Sequence, residues 1–219
     1  MAVINYRIAK TSDALKITDL HFKVRDTYSV GYFSKMNKWF IKKYYDIILS
    51  DPYEVVVCAE NEKGDIDGFM SASLDVKEQF RRMGKLKYKL ALGIRAIPSF
   101  ICHPSLIKET FNRYNSTRGK YNGPDNYIPE SGARLEYWTW NADSKDSISA
   151  MELYNKFLLI LYALGVKTIE GEIDYVNKKV LKFTLLNKAK ITREIEMSDG
   201  RHRAIVVYDL EEKFKTNNI

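Results

Sequence analysis

Cysteine is scarce in this chain: its 219 residues contain two, Cys58 and Cys102, far apart and without metal-type spacing. A disulfide framework would need more of them in a chain this size, so buried, reduced thiols are expected. The histidines are also few. His21, His103 and His202 have no Ser, Cys or second His at a spacing that suggests a triad or a metal site, which leaves packing roles and no metal centre. No apolar run is long enough to cross a bilayer, and the segment Met1 to Arg7 lacks the basic-then-apolar pattern of a signal peptide, so a cytoplasmic protein is expected. Neither a Walker loop nor a dinucleotide fingerprint occurs, which argues against kinase and dehydrogenase chemistry. There is no internal repeat and no low-complexity segment.

What is present is an ordinary globular composition, 45% hydrophobic and 29% charged, which disfavours a disordered chain and a membrane-embedded one. Its length suits one domain with an insertion. The formal net charge of +7 favours an anionic partner such as a nucleotide, a nucleotide sugar, nucleic acid or an acidic lipid surface, or else a basic, well-solvated surface with no special partner.

Val3 to Ala9 alternate as a strand, and Thr11-Ser12-Asp13 signals the start of a helix through Leu20. Apolar residues recur at three- and four-residue intervals from Tyr32 to Leu49, predicting a second helix that Asp51-Pro52 ends. A hairpin follows, from Glu54 to Glu60 and from Ile66 to Leu74 about a turn at 61–65. From 75 to 132 the texture changes to a basic helical stretch and then a polar, Pro- and Gly-bearing stretch, read as an insertion. Order returns with the aromatic strand Ala133 to Asn141, a helix from Ser147 to Leu164 closed by Gly165, a strand from Lys167 to Asp174, a helix from Asn177 to Leu186, and a hairpin about Asp199-Gly200.

That order of elements resembles the GNAT superfamily of acyl-CoA-dependent N-acyltransferases. Tyr6-Arg-Ile-Ala-Lys-Thr-Ser-Asp-Ala-Leu-Lys-Ile is similar to the family's opening, Asp65-Ile-Asp-Gly-Phe-Met to its third strand, and Ala163 to Asn177 to the helix-Gly-strand-Asn passage after its cofactor helix. The likeness covers residues 3–74 and 133–210 and leaves the insertion unmatched. It implies an α/β fold with a central mixed, mostly antiparallel sheet flanked by helices, acetyl-CoA as cofactor, and transfer to an amine of a small molecule. An amino sugar or other anionic acceptor is expected, and nucleic acid is ranked last because only Phe80 and Tyr88 interleave the basic run. A homodimer is left open beside the monomer.

The resemblance also assigns residues. Trp138, Thr139 and Trp140 on the aromatic strand, the loop and helix start Ser144, Lys145, Ser147, Ile148, Ser149 and Ala150, and Asn177 would contact coenzyme A. The family's Gln/Arg-x-x-Gly-x-Gly/Ala loop is replaced by Ser144, Ser147 and Ser149, each bringing a Cβ where glycine allows close approach to a pyrophosphate. Ser149-Ala-Met-Glu152 reads as a capping box that would occupy helix-start donors, with Asp146 beside it. Glu136 is the first candidate for general base, its ionisation tuned by Tyr137, Trp138 and Trp140; the other reading is a carboxylate paired with Arg134. Glu170, Glu172 and Asp174 are weaker alternatives. The family's acid Tyr position is Thr184, leaving Tyr175 or Tyr154 to protonate the thiolate, or the thiolate to leave unassisted. The acceptor pocket is expected in the insertion, with Tyr114, Arg118, Tyr121 and Asn122 as contacts. A fold retained as a non-catalytic binding module is the rival reading.

Overall fold

Alternating apolar residues in the first half of the chain bury both faces of one sheet. The computed structural model describes residues 3–25, 31–116, 132–196 and 201–215. Its strands are β1 (Asn5–Ile8), β2 (Glu54–Glu60), β3 (Ile66–Ser73), β4 (Ala133–Trp140), β5 (Thr168–Asp174), β6 (Lys190–Glu196) and β7 (His202–Asp209). They form a seven-stranded sheet in the order β1-β2-β3-β4-β5-β7-β6. Every pairing is antiparallel except β4 with β5. Because successive strand residues face opposite ways, Val55, Val57 and Ala59 of β2 join one core and Val56 and Cys58 the other.

The first core is covered by α6 (Ser147–Ala163), whose Leu153, Phe157, Leu158 and Leu161 are fully buried, and by α8 (Leu210–Lys215). The second is covered by α1 (Ala14–Val24) and α2 (Lys38–Ile48) through Ile17, Leu20, Ile41, Tyr45 and Ile48. Helix α7 (Lys178–Leu186) follows β5 and places Leu181 in the first core. The insertion supplies α3 (Val76–Met83), α4 (Leu86–Cys102) and α5 (Ser105–Ser116), and Ala96 and Leu106 pack from it into the second core.

Several boundaries differ from expectation for local reasons. Helix α2 begins at Lys38 because the Asn37 side chain accepts from the Phe40 amide at 2.9 Å. The amide group of Asn37 also donates to Arg95 O at 2.7 Å and Ser99 Oγ at 2.8 Å, so one residue starts α2 and ties α4 to it. The residue that turns the chain after α7 is Lys188, at a left-handed φ of 74°. Helix α8 is six residues long, too short for a periodic signal. The Asp199-Gly200 turn, Arg118, Tyr121, Asn122 and the Tyr114 side chain lie outside the described residues.

Gly68 of β3 sits beneath the indole of Trp140. A Cβ there would lie 2.2 Å from Trp140 Cε3 and 3.1 Å from Leu153 Cδ2. Gly68→Val is therefore expected to destabilise by about 3 kcal/mol or more through overpacking, read as a lower urea midpoint and a changed tryptophan spectrum.

Candidate active site

Strands β4 and β5 touch only at their start, where Ala133 pairs with Ile169 and Arg134 with Glu170. Gly171 lets them approach there, since a Cβ would stand 3.3 Å from Leu135. Beyond that point they part, leaving a cavity of about 510 Å³ lined by both strands. The cavity passes through the sheet. On the α6 side its wall includes Leu135, Trp138, Tyr154, Asn177, Val180 and Thr184; on the α1 side it includes Val24, Glu136, Tyr137, Glu172 and Asp174.

Glu136 owes its place to a bulge. Ser71 of β3 opposes Tyr137 while Ala72 opposes Leu135, so Glu136 is the extra residue and turns with Tyr137 toward the α1 side. Trp138 and Trp140 point the other way, into the α6 core, so they do not surround the carboxylate as expected. Tyr137 is held by rings: it stacks on Phe69 at 5.5 Å and on His21 at 4.5 Å. His21 is buried, its Nδ1 lies 2.8 Å from Tyr45 Oη, and burial, with a smaller effect from Arg25, lowers its pKa to about 4. It therefore packs as a neutral ring.

Glu136 also meets a charged neighbour, Arg134, with Nε 3.4 Å from its Oε1. Both readings of Glu136 thus hold some ground: it faces the cavity and it has a cationic partner. Behind it, Glu54 of β2 is buried, accepting from Gln79 Nε2 at 3.2 Å and standing 3.6 Å from Arg82 Nη2. Burial, reinforced by the charge of Glu136, pushes the Glu54 carboxyl up to about 8. An acid whose folded pKa is raised holds its proton in the native state, so its contribution is intact below the unfolded value and lost as pH rises through the folded one. Glu54→Gln copies the protonated form. It is expected to match the parent's urea stability near pH 4 and exceed it by up to about 4 kcal/mol near pH 9; His21 titrates in both proteins and cancels in the difference.

The loop before α6 is closed by its own side chains. Trp140 Nε1 donates to Ser144 Oγ at 2.6 Å, and Ser144 Oγ donates to Asn141 O at 2.8 Å. Lys145 adopts a left-handed φ of 51°, which a glycine would take without strain. The cap of α6 is Asp146, which accepts from Ser149 N at 3.0 Å and Ser149 Oγ at 2.7 Å; these bonds hold its carboxyl below the usual range. The expected Ser149 and Glu152 box is not formed. Glu152 instead accepts from Tyr6 Oη at 3.0 Å and pairs with Lys156 at 3.3 Å. A carboxylate wins this position because it accepts two bonds and carries negative charge at the positive end of the helix. Among the described residues, the Ser147 N–H has no partner; Ile148 is exposed, while Ser149 and Ala150 are nearly buried.

The remaining candidates separate. Trp138, Thr139, Trp140 and Asn177 line the cavity, and Asn177 Oδ1 also accepts from Val180 N at 3.4 Å. Tyr175 does not line it: its hydroxyl donates to Glu194 of β6 at 2.5 Å. Tyr154 does, with its hydroxyl 3.0 Å from Tyr208 Oη and its pKa raised by burial. The indole Nε1 of Trp138 is buried and has no hydrogen-bond partner among the described residues. Val24, Gly171 and Val180 also belong to the wall, and of these only Gly171, a lone glycine within a strand pattern, carried a signal in the sequence.

No family model and no curated protein matches the chain. Its fold is shared with solved structures. A proposed acetyltransferase of Acinetobacter baylyi ADP1 is 12% identical with a TM-score of 0.61, over 96% of this chain and 95% of that one. Arabidopsis thaliana NAA60 in complex with acetyl-CoA is 13% identical with a TM-score of 0.56, over 94% and 98%. Mutant forms of the spermidine/spermine N-acetyltransferase SpeG from Vibrio cholerae are 10% identical with a TM-score of 0.57, over 98% of each chain. At these identities the likeness is one of architecture, and the chain has the GNAT acyl-CoA N-acyltransferase fold that its sequence resembles.

Proposed function

We propose that the protein transfers an acetyl group from acetyl-CoA to the amine of a small molecule. The observation that carries this reading is the cleft through the sheet, with Glu136 on the β4 bulge at its α1 side. The cleft suits a pantetheine arm: beyond Arg134 the β5-facing backbone of β4 has no strand partner among the described residues, and the Trp138 Nε1 donor awaits an acceptor. The loop suits the diphosphate less well, because Asp146 already occupies Ser149. Ser147 N–H and the Lys145 ammonium are the groups that would hold it.

When bound, acetyl-CoA supplies the thioester carbonyl that the amine attacks. In this scheme Glu136 takes the proton of the incoming ammonium, directly or through water. Backbone N–H groups of β4 steady the developing oxyanion. Tyr154, whose ring lines the cleft and whose hydroxyl is bonded to Tyr208 Oη behind it, is the nearer candidate to return a proton to the departing sulfur, a role for which Tyr175, tied to Glu194 outside the cleft, is badly placed. Glu172 and Asp174, paired with Arg203 at 2.9 Å and Arg201 at 3.1 Å, give the α1-side mouth both signs of charge. That mixture supports an acceptor such as an amino sugar, which joins an amine to other polar groups.

Calorimetric titration with acetyl-CoA and with desulfo-CoA tests the reading, and saturable binding of both is expected. Absence of heat at millimolar ligand would leave the chain without its cofactor. The rival reading, a binding module that keeps the fold without the reaction, is favoured by one observation, the Asp146 carboxylate bonded at the start of α6, where this proposal would put the diphosphate.

A further inference from the structure

The insertion holds a surface that acetyl transfer does not use. Helix α4 packs one side on α2 through Ala96 and Ser99 and presents the other to solvent. Its outward residues are Leu86, Leu90, Ile94, Ile97 and Ile101, exposed by 51–75%. At about 100° per residue these five fall within an arc of about 80°, an unbroken aliphatic stripe along the helix. Scattered exposed leucines need no explanation, but a contiguous stripe on an outermost helix marks a contact surface.

Charge selects what covers it. From Gln79 to Lys108 the chain contains no Asp or Glu, while Lys85, Lys87, Lys89, Arg95 and Lys108 lie on or beside the two outer helices. On the helical wheel Lys87 and Lys89 flank the stripe on its two sides. A second copy laid parallel along α4 would set Lys85 and Lys87 against their own counterparts, and an antiparallel copy would set them against residues 97–102, which carry no carboxylate. An anionic lipid surface offers acyl chains to the stripe and phosphates to the lysines at once.

We infer that α4 is a membrane-surface contact that seats the protein on anionic lipid. The helix lies in the interface and does not span it; no helix among the described residues is long and apolar enough to cross a membrane. The inference is independent of the acetyl-transfer proposal, since the stripe lies outside the residues that line the cleft.

Co-sedimentation of the full chain with vesicles of phosphatidylcholine, with and without phosphatidylglycerol, tests it. The protein is expected to pellet with the mixed vesicles only, and to be released by added salt. Ile94→Glu and Ile97→Glu alter exposed positions, so each is expected to abolish pelleting while the melting temperature stays unchanged. Lys85→Gln with Lys87→Gln is expected to weaken partitioning about thirtyfold. The inference is overturned by equal pelleting with neutral vesicles, by none with either kind, or by pelleting that Ile97→Glu leaves intact. It is overturned as well if light scattering finds a dimer that Ile97→Glu dissociates, for then a second copy occupies the stripe.

Discussion

Replacing Asp146 with glycine is expected to tighten acetyl-CoA binding about ten- to a hundredfold, the range expected when a carboxylate is removed from within a few ångströms of a diphosphate near a solvated surface. The side chain now fills the place where an anion would meet the helix start, accepting from both the amide and the hydroxyl of Ser149. Glycine is nearly as good a cap as aspartate, so α6 should keep its first turn while its donors are released. Asp146→Asn separates the two effects, because it keeps a side-chain acceptor and loses the charge; an intermediate gain is expected. Calorimetry on the three proteins reads the series. If glycine leaves affinity unchanged or lowers it, the diphosphate does not sit at this helix and the loop has no part in cofactor binding.

Glu136→Gln is expected to lower kcat by about a hundred- to a thousandfold while KM for acetyl-CoA stays close to that of the parent. The exchange keeps the volume of the side chain on the bulge, and its amide oxygen can still accept from Arg134, so the cleft should hold its shape. Thioester consumption measured with a panel of small primary amines, amino sugars included, gives the acceptor and the rates together. A variant within threefold of the parent would assign Glu136 to its ion pair with Arg134 and send the search for a base to Glu172 and Asp174, which line the same wall. Retained calorimetric binding of acetyl-CoA by the variant distinguishes a lost base from a collapsed site.

The sheet was legible because its strands obey local rules. The run Val55 to Ala59 alternates between two cores, and Gly165, Asn177 and the aromatic stretch from Tyr137 to Trp140 mark their positions by chemistry that neighbours cannot override. The candidate site was harder to read. The bulge at Glu136 exists only in the pairing of β4 with β3, and sequence alone does not say which residue a strand will leave unopposed. The cap of α6 was a contest between two satisfactory local patterns, Asp146 with Ser149 and Ser149 with Glu152. Tertiary structure decided it, because Tyr6 of β1 reaches across and engages Glu152. Glu54 carries no sequence signal at all, since its altered acidity arises from neighbours that are distant along the chain.

Arg82 gives the outer helices an inward latch. Its guanidinium, in α3, forms an ion pair with Asp51 and approaches Glu54, the buried acid whose charge is coupled to that of Glu136. The appendage that carries the aliphatic stripe is therefore wired to the wall behind the proposed base. A force applied to the outer surface that shifted α3 would alter the countercharge next to Glu54, and with it the protonation of the carboxyl that stands behind the proposed base.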